Sequence, residues 1–598
     1  GTCAVVARVV LRLARPPGAR ALVVLGFADD IDGAASVPDL LSAEPFTVES
    51  LSAELLALAH ATPSEVGLPA GGAWLLVEAR AEDAAGAREH AQRLAAAIGR
   101  DLEASDVRFI EDASSQAALW KIREDGAGHS ARLADGTKAW PGFEDSAVPP
   151  ANLGRYLREL RALLREQGLQ AISYGHYGEG CIHLRVGYGL SEIGGAARYE
   201  RFMEAAADLV IAHGGSLSGE HGDGRTRGPL LDKQFSPELL AAFERFKTIW
   251  DPTGVLNPEI IVAPAPLTEA LRATSPTTLA VVPAQAFRAD DGDLRSAAER
   301  CIGVGRCIST QGSALMCPSY RATRDERHST RGRARLLQEM LSGSLANDGF
   351  GSMDVRDALD LCLACRGCVS ECPTGVDMAT YKAEFLDQHY RRRLRPAAHY
   401  SLGWLPVWLK VTARVPRLVN AVTQPRLTRR VFSRLAGIAP SRGIPRVARR
   451  AFTRDWHPRP RPDAPNGRVV LWPDTYNDHL TPEVSHAAVR VLEDAGFEVI
   501  VPGRWVCDGL TWHSTGQLGT ARRVLLRSLG APELGGDEPV VVLEPSSTTM
   551  LRADLPQLLP DDPRAERLAR RVATLAELLD RVEYVAPPPR TDVAPAIS

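Results

Sequence analysis

Four cysteines, Cys362, Cys365, Cys368 and Cys372, have a spacing suited to binding iron. They lie in the stretch L-C-L-A-C-R-G-C-V-S-E-C-P-T, which has the pattern C-x2-C-x2-C-x3-C-P. Three thiolates at three-residue steps can surround one corner of a [4Fe-4S] cube, and the fourth, beside Pro373, points away toward another cluster. The spacing therefore predicts a second set of cysteines elsewhere in the chain.

That second set lies upstream, at Cys301, Cys307 and Cys317. In C-I-G-V-G-R-C the middle position is Val304, which cannot bind iron. Crossed pairing predicts one cluster on Cys317, Cys362, Cys365 and Cys368 and the other on Cys301, Cys307 and Cys372. With three thiolates, the second cluster is either a [3Fe-4S] or a [4Fe-4S] whose fourth iron takes water or another side chain.

The alternative for these cysteines is a structural zinc site or a set of scattered buried thiols. Zinc sites take four ligands from one or two C-x2-C pairs, whereas seven of the ten cysteines here fall in two C…C-P runs. We therefore favour iron-sulfur clusters. The clustering, together with the absence of a secretory signal, indicates a reducing, cytoplasmic compartment.

Two histidines mark a second possible site. His176 and His183 are seven residues apart in S-Y-G-H-Y-G-E-G-C-I-H-L-R-V, a spacing that puts them on opposite faces of one continuous strand. Gly178-Glu179-Gly180 allows a turn between them, so that both can converge, and S-G-E-H-G-D-G-R adds Glu220 and His221. Two imidazoles and a carboxylate resemble a zinc site with an open position, which can polarise a hydroxyl or carboxylate. The alternative is that these histidines only satisfy local hydrogen bonds.

The length of 598 residues predicts three or four domains. Composition is that of a globular protein, with 45% hydrophobic and 24% charged residues and a net charge of −3. No apolar run approaches the roughly 18 residues of a membrane span, and no nucleic-acid partner is indicated. The predicted divisions are 1–263 (α+β), 264–285 (linker), 286–390 (helical, with the clusters), 391–463 (basic connector) and 464–598 (small α/β).

Within these divisions the alternation of apolar residues predicts individual elements. Residues 1–13 are predicted to form an apolar strand that starts at the first residue, which suggests that the sequence begins inside a longer parent protein. Further strands are predicted at 21–26 and 72–79 and a helix at 84–98. The last domain is predicted to contain strands at 469–474, 499–502 and 540–545 and a helix at 482–495. A Pro-rich tail with no further strand-helix unit is predicted to follow.

These residues and motifs together resemble a known family. His176 to Arg185, Glu220 to Arg225 and W-D-P-T-G-V-L-N-P are similar to the C-terminal half of FAD-linked oxidases of the vanillyl-alcohol-oxidase superfamily, in particular D-2-hydroxy acid dehydrogenases. C-I-G-V-G-R-C…M-C-P-S-Y-R-A-T and H-S-T-R-G-R-A-R resemble bacterial members fused to an iron-sulfur region. The implied fold is an α+β oxidase domain, an α-helical ferredoxin-like domain and a small α/β domain.

The resemblance implies roles for particular side chains. His176, His183 and Glu220 would bind a divalent metal, zinc by the chemistry above, and His221 would be the general base. Arg123 and Lys138 would anchor the substrate carboxylate, and Arg185 would offer a second carboxylate contact. The alternative is that Arg123 and Lys138 are ordinary surface cations.

The chain departs from the family in two respects. The FAD-binding domain, with its Gly-rich pyrophosphate loop, precedes the segment similar to residues 1–13, so this chain is not expected to hold FAD by itself. The last domain resembles a Cys-rich repeat of electron-transfer subunits, but Asp508 follows Cys507 where that repeat has paired cysteines, and Ser547 replaces a cysteine after Pro545-Ser546.

The predicted function is oxidation of a D-2-hydroxy acid, of the lactate, glycolate or 2-hydroxyglutarate class. Electrons would leave through the clusters to a quinone or an electron-transfer protein. The alternative is a non-catalytic electron-transfer subunit whose oxidase domain is vestigial.

The connector, residues 391–463, holds eighteen Arg or Lys against two acids, a formal charge of 18 − 2 = +16. One interpretation is an internal arm packed against acidic surfaces. The other is peripheral binding to the inner face of a membrane, since basic and aromatic residues together suit anionic lipid. The residues concerned are Trp404, Leu405, Trp408, Leu409, Lys410 and Arg414. Pro406 weakens this interpretation, because it interrupts or starts a helix.

Overall fold

The structure is a computed structural model that describes residues 5–98, 106–269, 271, 279, 281–310, 315–343, 348–439 and 441–585. The chain divides into two compact units, residues 1–276 and 277–598. The division lies within the stretch 264–285, of which residues 270, 272–278 and 280 are outside the described residues. The predicted Pro-rich tail also lies outside them from residue 586 onward.

A seven-stranded antiparallel sheet organises the first unit. Its strands lie in the order β4-β1-β3-β2-β6-β7-β5. The bounds are β1 (Ala19–Phe27), β2 (Thr47–Ser52), β3 (Ala73–Ala81), β4 (Val107–Ile110), β5 (Ser146–Ala147), β6 (Ala171–His176) and β7 (Cys181–Val186). β1 includes the predicted strand at 21–26, β3 covers 73–79 of the predicted strand at 72–79, and β6 and β7 are joined by the turn that the glycines predict.

Both faces of this sheet are covered, because its central strands are apolar on both sides. In β1, Val23 and Leu25 face one core, and Leu22 and Val24 face the other. The helices of this unit are α1 (Asp30–Ala35), α2 (Val37–Leu41), α3 (Ala53–Leu58), α4 (Ala84–Ala96), α5 (Ala113–Glu124), α6 (Gly126–His129), α7 (Leu153–Glu166), α8 (Gly195–Ala212), α9 (Gly224–Arg227), α10 (Leu231–Gln234) and α11 (Pro237–Trp250). Helices α4, α7 and α8 pack on the first core, and α3 and α5 on the second.

The second unit begins with the helices around the cysteines. They are α12 (Leu294–Ala298), α13 (Pro318–Thr323), α14 (Thr330–Ser342), α15 (Met353–Asp360), α16 (Gly367–Glu371) and α17 (Met378–His389). The connector is also helical, with α18 (Ala397–Ser401), α19 (Leu405–Thr412), α20 (Pro416–Thr423), α21 (Arg426–Leu435) and α22 (Phe452–Asp455). Pro406 lies in the first turn of α19, where a proline is tolerated because its missing N–H needs no partner.

A four-stranded parallel sheet completes the second unit, in the order β11-β10-β8-β9. Its strands are β8 (Arg468–Trp472), β9 (Glu498–Ile500), β10 (Val540–Val542) and β11 (Val572–Thr574). The helices are α23 (Thr475–His479), α24 (Pro482–Asp494), α25 (Leu510–Ser514), α26 (Leu518–Ser528), α27 (Pro545–Thr549), α28 (Leu555–Leu558), α29 (Pro563–Arg571) and α30 (Leu575–Arg581). This is the predicted small α/β domain.

Three details differ from the sequence predictions. Of the predicted strand at 1–13, residues 5–13 form no strand and are exposed, because nothing in the described chain pairs with them, and residues 1–4 lie outside the described residues. The α/β domain continues beyond 545, since β11 adds to the sheet beside β10 and α30 follows it. The third difference concerns Trp404, which is partly buried against the α/β domain: its Nε1 donates to Oε1 of Gln517 at 2.8 Å, and its ring packs edge-on against Trp512.

Candidate functional site

The turn between β6 and β7 brings two histidines together. His176 ends β6, a single 3-10 turn follows at Tyr177–Glu179, and His183 lies on β7. Gly180 makes this turn possible, because its backbone is left-handed (φ 69°) and a Cβ there would stand 1.9 Å from the carbonyl oxygen of Val148. The two imidazole ring centroids are 5.1 Å apart.

Glu220 and His221 reach the same place on a loop that Asp145 holds. The Asp145 carboxylate accepts hydrogen bonds from the backbone N–H groups of Glu220 (2.9 Å) and His221 (2.8 Å) and from Oγ of Ser218 (2.5 Å). Burial alone would raise the pKa of Asp145, but these donors lower it below its usual value. Asp145 is therefore an ionised anchor that fixes the loop carrying Glu220.

Three imidazole nitrogens surround one oxygen of Glu220, and we call these three histidines and Glu220 the histidine cluster. Its Oε1 is 3.3 Å from Nε2 of His176, 3.3 Å from Nε2 of His183 and 3.1 Å from Nε2 of His221. Ligands about 2.05 Å from a tetrahedral zinc ion are separated from one another by about 3.3 Å. The donor set and its spacing therefore fit a divalent metal. The His221 ring stacks on that of His183 with centroids 5.3 Å apart and is the most exposed of the three.

Glu49, on β2, orients His176. Its Oε1 lies 2.7 Å from Nδ1 of His176, and β2 pairs with β6 at this position. The hydrogen bond with Glu49 raises the pKa of His176. Burial lowers the pKa of His183 to about 3, so that this ring is neutral at pH 7, as a metal ligand must be. A carboxylate behind a ligating imidazole is a common support in metal sites.

A second combination of donors overlaps this one. Atoms of Asp145, Cys181, His183 and Glu220 also lie within 4.8 Å of one another in the described part of the chain. Cys181, however, donates from Sγ to Oδ1 of Asp145 at 3.3 Å, and burial raises the pKa of its thiol far above the usual value. Because the Asp145 carboxylate already accepts hydrogen bonds from the loop, we interpret Asp145 and Cys181 as residues that support the site rather than as metal ligands.

Arg123, predicted to bind a substrate carboxylate, lies on α5 and is buried. Its Nη2 donates to Oε2 of Glu49 at 2.7 Å, so one carboxylate links it to His176. Its guanidinium carbon lies 5.1 Å from the centre of the Tyr174 ring. Its Nε is buried and has no hydrogen-bond partner among the described residues. Arg123 is thus part of the histidine cluster, with one donor unused.

Arg185 and Lys138 occupy the neighbouring part of the sheet. Arg185 shares a face of β7 with His183, and its Nη2 pairs with Oε2 of Glu144 at 3.0 Å. Lys138 places Nζ 4.0 Å from the centre of the Trp140 ring, whose backbone pairs with that of Val186.

Sequence reasoning missed Glu49 and Asp145. Glu49 carries a weak local signal in the sequence, whereas the features of Asp145 appear only in the structure. Glu49 is the only charged residue of the strand T-V-E-S-L-S, and it is buried, which is unusual for a lone acid in a strand. Asp145 has a left-handed backbone (φ 81°) and no side-chain exposure.

In the second unit, four of the seven predicted cluster ligands line one pocket: Cys317, Cys362, Cys365 and Cys368. Ala364 and Arg366 have left-handed backbones (φ 53° and 57°), which curl the chain so that three thiols turn toward the same space. The pocket therefore groups Cys317, from the first run, with the second run.

Cys317 lies among hydrogen-bond donors. Its Sγ is 3.4 Å from Oγ of Ser319 and 3.5 Å from Nη1 of Arg333, a fully buried arginine. Burial alone would raise the pKa of Cys317, but the Ser319 hydroxyl and the Arg333 charge lower it below its usual value. A thiolate, the form that binds iron, is thereby favoured.

The sequence predicts that the remaining three cysteines form the other group. Burial raises the pKa of Cys307, and the nearby thiols of Cys317 and Cys372 raise it further. Sγ of Cys307 accepts the backbone N–H of Arg331 at 3.4 Å, and the Arg331 guanidinium interacts with both Cys307 and Cys301. Both Cys317 and Cys372 thus interact electrostatically with Cys307, and the assignment of Cys372 to this group stays a prediction.

Glu371 connects the two cysteine runs through hydrogen bonds. Its carboxylate accepts the backbone N–H groups of Leu315 (2.6 Å) and Met316 (2.7 Å), immediately before the first C-P pair. Val304 is exposed, on a loop between two left-handed glycines, and supplies no donor. The pocket fits one cluster with four cysteines, and a second cluster with three stays a prediction.

Comparison with known proteins assigns both regions. Residues 16–261 match the family model of FAD linked oxidases, C-terminal domain, and residues 297–376 match that of the 4Fe-4S dicluster domain. Residues 16–261 are an FAD-linked oxidase C-terminal domain. This oxidase domain contains the histidine cluster, and the dicluster domain contains all seven cysteines. FAD and 4Fe-4S clusters are the cofactors that these two domains imply.

Similar curated proteins are named as dehydrogenases of D-2-hydroxy acids. The chain is 27% identical to D-2-hydroxyglutarate dehydrogenase of Pseudomonas putida over 75% of this chain and 48% of that protein. It is 25% identical to D-2-hydroxyglutarate dehydrogenase of Escherichia coli over 91% of this chain and 59% of that protein. Over 20% of this chain and 26% of the relative, it is 35% identical to D-lactate dehydrogenase of Archaeoglobus fulgidus. The chain thus spans about half the length of these two D-2-hydroxyglutarate dehydrogenases.

Proposed function

We propose that this chain contributes the substrate-binding and electron-carrying parts of an FAD-linked dehydrogenase of D-2-hydroxy acids. The observation that carries the proposal is the convergence of His176, His183, Glu220 and His221 on one point, beside the buried Arg123. It lies in an oxidase domain followed by a dicluster domain, and its relatives are named as dehydrogenases of 2-hydroxyglutarate and lactate.

Each cofactor would supply one kind of chemistry: a bound divalent metal polarises the substrate hydroxyl, a bound flavin accepts hydride, and iron-sulfur clusters carry electrons singly. We propose zinc as the metal, on His176, His183 and Glu220, because the donors are two imidazoles and a carboxylate. Cys301, Cys307 and Cys372 would hold the three-cysteine cluster, as a [3Fe-4S] or as a [4Fe-4S] with a non-cysteine ligand.

His221 would act as the general base. Its Nε2 is as near to Glu220 as the other two imidazoles are, so distance alone allows it to be a ligand. Its greater exposure distinguishes it, because a base must reach the proton of a bound hydroxyl. The stacked ring of His183 and the anchored backbone N–H of His221 hold it in position.

The substrate carboxylate would bind at Arg123, whose Nε is buried without a partner in the described residues, with Lys138 as a second cation. Arg185 offers a contact for a second carboxylate, shared with Glu144. A dicarboxylic acid such as 2-hydroxyglutarate would use both arginines, whereas lactate and glycolate would leave Arg185 unused. Among the three predicted classes we therefore favour 2-hydroxyglutarate.

Electrons would pass through the two clusters to a quinone or an electron-transfer protein. A quinone is reached at a bilayer, so peripheral contact with the inner face of a membrane is part of this proposal, and the clustered thiols support a cytoplasmic location. In our proposal residues 286–390 carry the clusters, and 391–463 and 464–598 connect them to the acceptor.

The test combines metal analysis with turnover in preparations that contain bound FAD. His183→Ala and Glu220→Ala should lose the metal and the activity together while keeping flavin. His221→Ala should keep the metal and lose about 10²- to 10⁴-fold in kcat, the usual contribution of a general base. Full activity of a metal-free His183→Ala protein would overturn the metal assignment.

The alternative, an electron-transfer subunit with a vestigial oxidase domain, makes a different prediction. In that case no 2-hydroxy acid would reduce the clusters in an FAD-loaded preparation, although dithionite would. Specificity is tested by Arg185→Leu, which should lower kcat/KM for 2-hydroxyglutarate but leave that for D-lactate unchanged.

A further inference from the structure

Helices α19, α20 and α21 expose an unusual number of apolar side chains. Those at least one-third exposed are Trp408, Val411, Leu418, Val422, Leu427, Val431, Phe432 and Leu435. We propose that these three helices form a docking surface for an anionic lipid bilayer. This deepens the proposed membrane contact, and its failure would leave the dehydrogenase proposal intact, because it depends on no residue of the histidine cluster.

Helix α21 is the clearest case, because its apolar side faces away from the protein. Leu427, Val431 and Leu435 follow one another at four-residue steps and are 77%, 54% and 73% exposed. At about 100° per residue, these three and Phe432 span an arc of about 140°. Ser433, the only buried residue of this helix, lies roughly opposite the centre of that arc. A globular helix would normally place such an arc inward.

The two preceding helices use their other sides to pack. Leu409 on α19 and Val419 on α20 contact the small core around Val447. Trp408 and Val411 on α19 and Leu418 and Val422 on α20 are left exposed. Trp408 is 50% exposed, with its Nε1 hydrogen-bonded to the backbone oxygen of Tyr400, a position that suits an aromatic residue at a lipid interface.

The charge of this region selects anionic partners. Residues 405–435 contain seven Arg or Lys and no Asp or Glu. On α21 the cations Arg426, Arg429, Arg430 and Arg434 occupy the sides that flank or oppose the apolar arc. Amphipathic helices that lie in the bilayer interface combine an apolar face with cations in this way.

A groove beside α20 supplies a place for a phosphate headgroup. It is lined by Arg414, Arg417, Arg449 and Arg450, next to the exposed apolar side chains of Val415 and Leu418. Asp455 and Glu483 also line it, and Asp455 pairs with Arg450 at 3.2 Å. Arg414, Arg417 and Arg449 form no ion pair with any described residue. The cations match the phosphate headgroup of an anionic phospholipid, and the exposed apolar side chains match its acyl chains.

A protein partner would need acidic side chains to match these cations and an apolar groove to cover α21, and nothing in the described chain points to such a partner. A bilayer supplies both the negative surface and the apolar layer along the whole surface. None of the helices in the described residues is long and apolar enough to span a bilayer. The contact we propose is therefore with the lipid surface.

The apolar half of the proposal is tested by vesicle flotation of the whole chain. The vesicles are phosphatidylcholine alone and an equal mixture of phosphatidylcholine and phosphatidylglycerol. Leu427→Ser/Val431→Ser/Leu435→Ser should bind the mixed vesicles at least ten-fold more weakly than the parent chain. The matched control is Val484→Ser/Leu526→Ser/Val585→Ser, which removes three exposed apolar side chains elsewhere in the same unit and should bind like the parent chain.

The charged half is tested on the same vesicles. Each Arg near an anionic surface contributes about five-fold in binding, so Arg426→Gln/Arg430→Gln/Arg434→Gln should lose on the order of 100-fold. Arg522→Gln/Arg567→Gln/Arg570→Gln, on exposed positions of other helices, is the control. Salt of about 1 M, which shortens the Debye length to about 3 Å, should release the parent chain.

Three outcomes would overturn the proposal: no binding to the mixed vesicles, equal binding to both kinds of vesicle, or equal loss in a test variant and its control. Unfolding midpoints of all four variants decide whether a loss reflects misfolding. The positions are exposed, so each midpoint should lie close to that of the parent chain.

Discussion

The carboxylate of Glu49 lies 2.7 Å from Nδ1 of His176, so the opposite nitrogen, Nε2, faces Glu220. The same carboxylate accepts a hydrogen bond from Arg123 through its other oxygen, at 2.7 Å. One buried acid thus fixes the tautomer of a proposed metal ligand and the position of a proposed substrate anchor.

Glu49→Gln should weaken metal binding without unfolding the domain. An amide cannot replace the negative charge behind His176, and loss of such a support typically costs about 10- to 100-fold in metal affinity. Competition with a chromogenic chelator measures the affinity. Glu78→Gln is the control, because Glu78 is a buried acid of the same sheet that pairs with Arg80 rather than with the histidines. Equal affinities of the Glu49→Gln protein and the parent chain would refute this role.

Cys181→Ala separates the two possible donor sets. If the metal is bound by His176, His183 and Glu220, the variant should keep its metal, because the buried, protonated thiol only donates to Asp145. The expected cost is about 1 kcal/mol in the free energy of unfolding, from a small cavity and one weak hydrogen bond. Metal content measured by mass spectrometry checks this. A loss as complete as in His183→Ala would instead make Cys181 a ligand.

The sequence predicts those parts of the molecule that depend on local spacing. The cysteine runs and the glycine turn between His176 and His183 are of this kind, since a few consecutive residues determine them. Glu49 lies 127 residues before His176 and meets it only because β2 pairs with β6. Such a contact depends on strand order, which local patterns do not contain.

The connector shows the same limit. Its composition predicts amphipathic character, but Trp404 and Trp408 look equivalent in sequence. In the structure Trp404 packs against Trp512 and Trp408 is half exposed, because the α/β domain covers only one side of α19. The choice between them is made by tertiary packing.

Crossed ligation predicts that Cys317 and Cys372 each affect the cluster of the other run. Cys317→Ser should alter the four-cysteine cluster, because Cys317 lines the pocket of Cys362, Cys365 and Cys368. Cys372→Ser should alter the three-cysteine cluster near Cys307. Electron paramagnetic resonance of the reduced and oxidised proteins, with iron analysis, distinguishes the two signals. If each substitution perturbed only the cluster of its own run, the crossed arrangement would be wrong.

Arg333 should raise the reduction potential of the four-cysteine cluster. Its Nη1 is 3.5 Å from Sγ of Cys317, and its Nη2 donates to Oγ of Ser319 at 2.9 Å. Hydrogen bonds and positive charge near the sulfurs stabilise the more negative, reduced cluster. Arg333→Gln should therefore lower the midpoint potential of this cluster and leave that of the other unchanged, as measured by a redox titration followed by electron paramagnetic resonance.

The control for Arg333 is Arg335→Gln, on the same helix α14. Arg335 is exposed and pairs with Glu339, so its charge is screened by water and lies outside the lining of the cluster pocket. Its removal should change neither potential. Because Arg333 is fully buried and also donates from Nε to the carbonyl of Ala358 at 2.7 Å, its variant is first checked for four-cysteine cluster content. A potential that stays the same in a fully loaded Arg333→Gln protein would show that this guanidinium holds the loop in place without tuning the cluster.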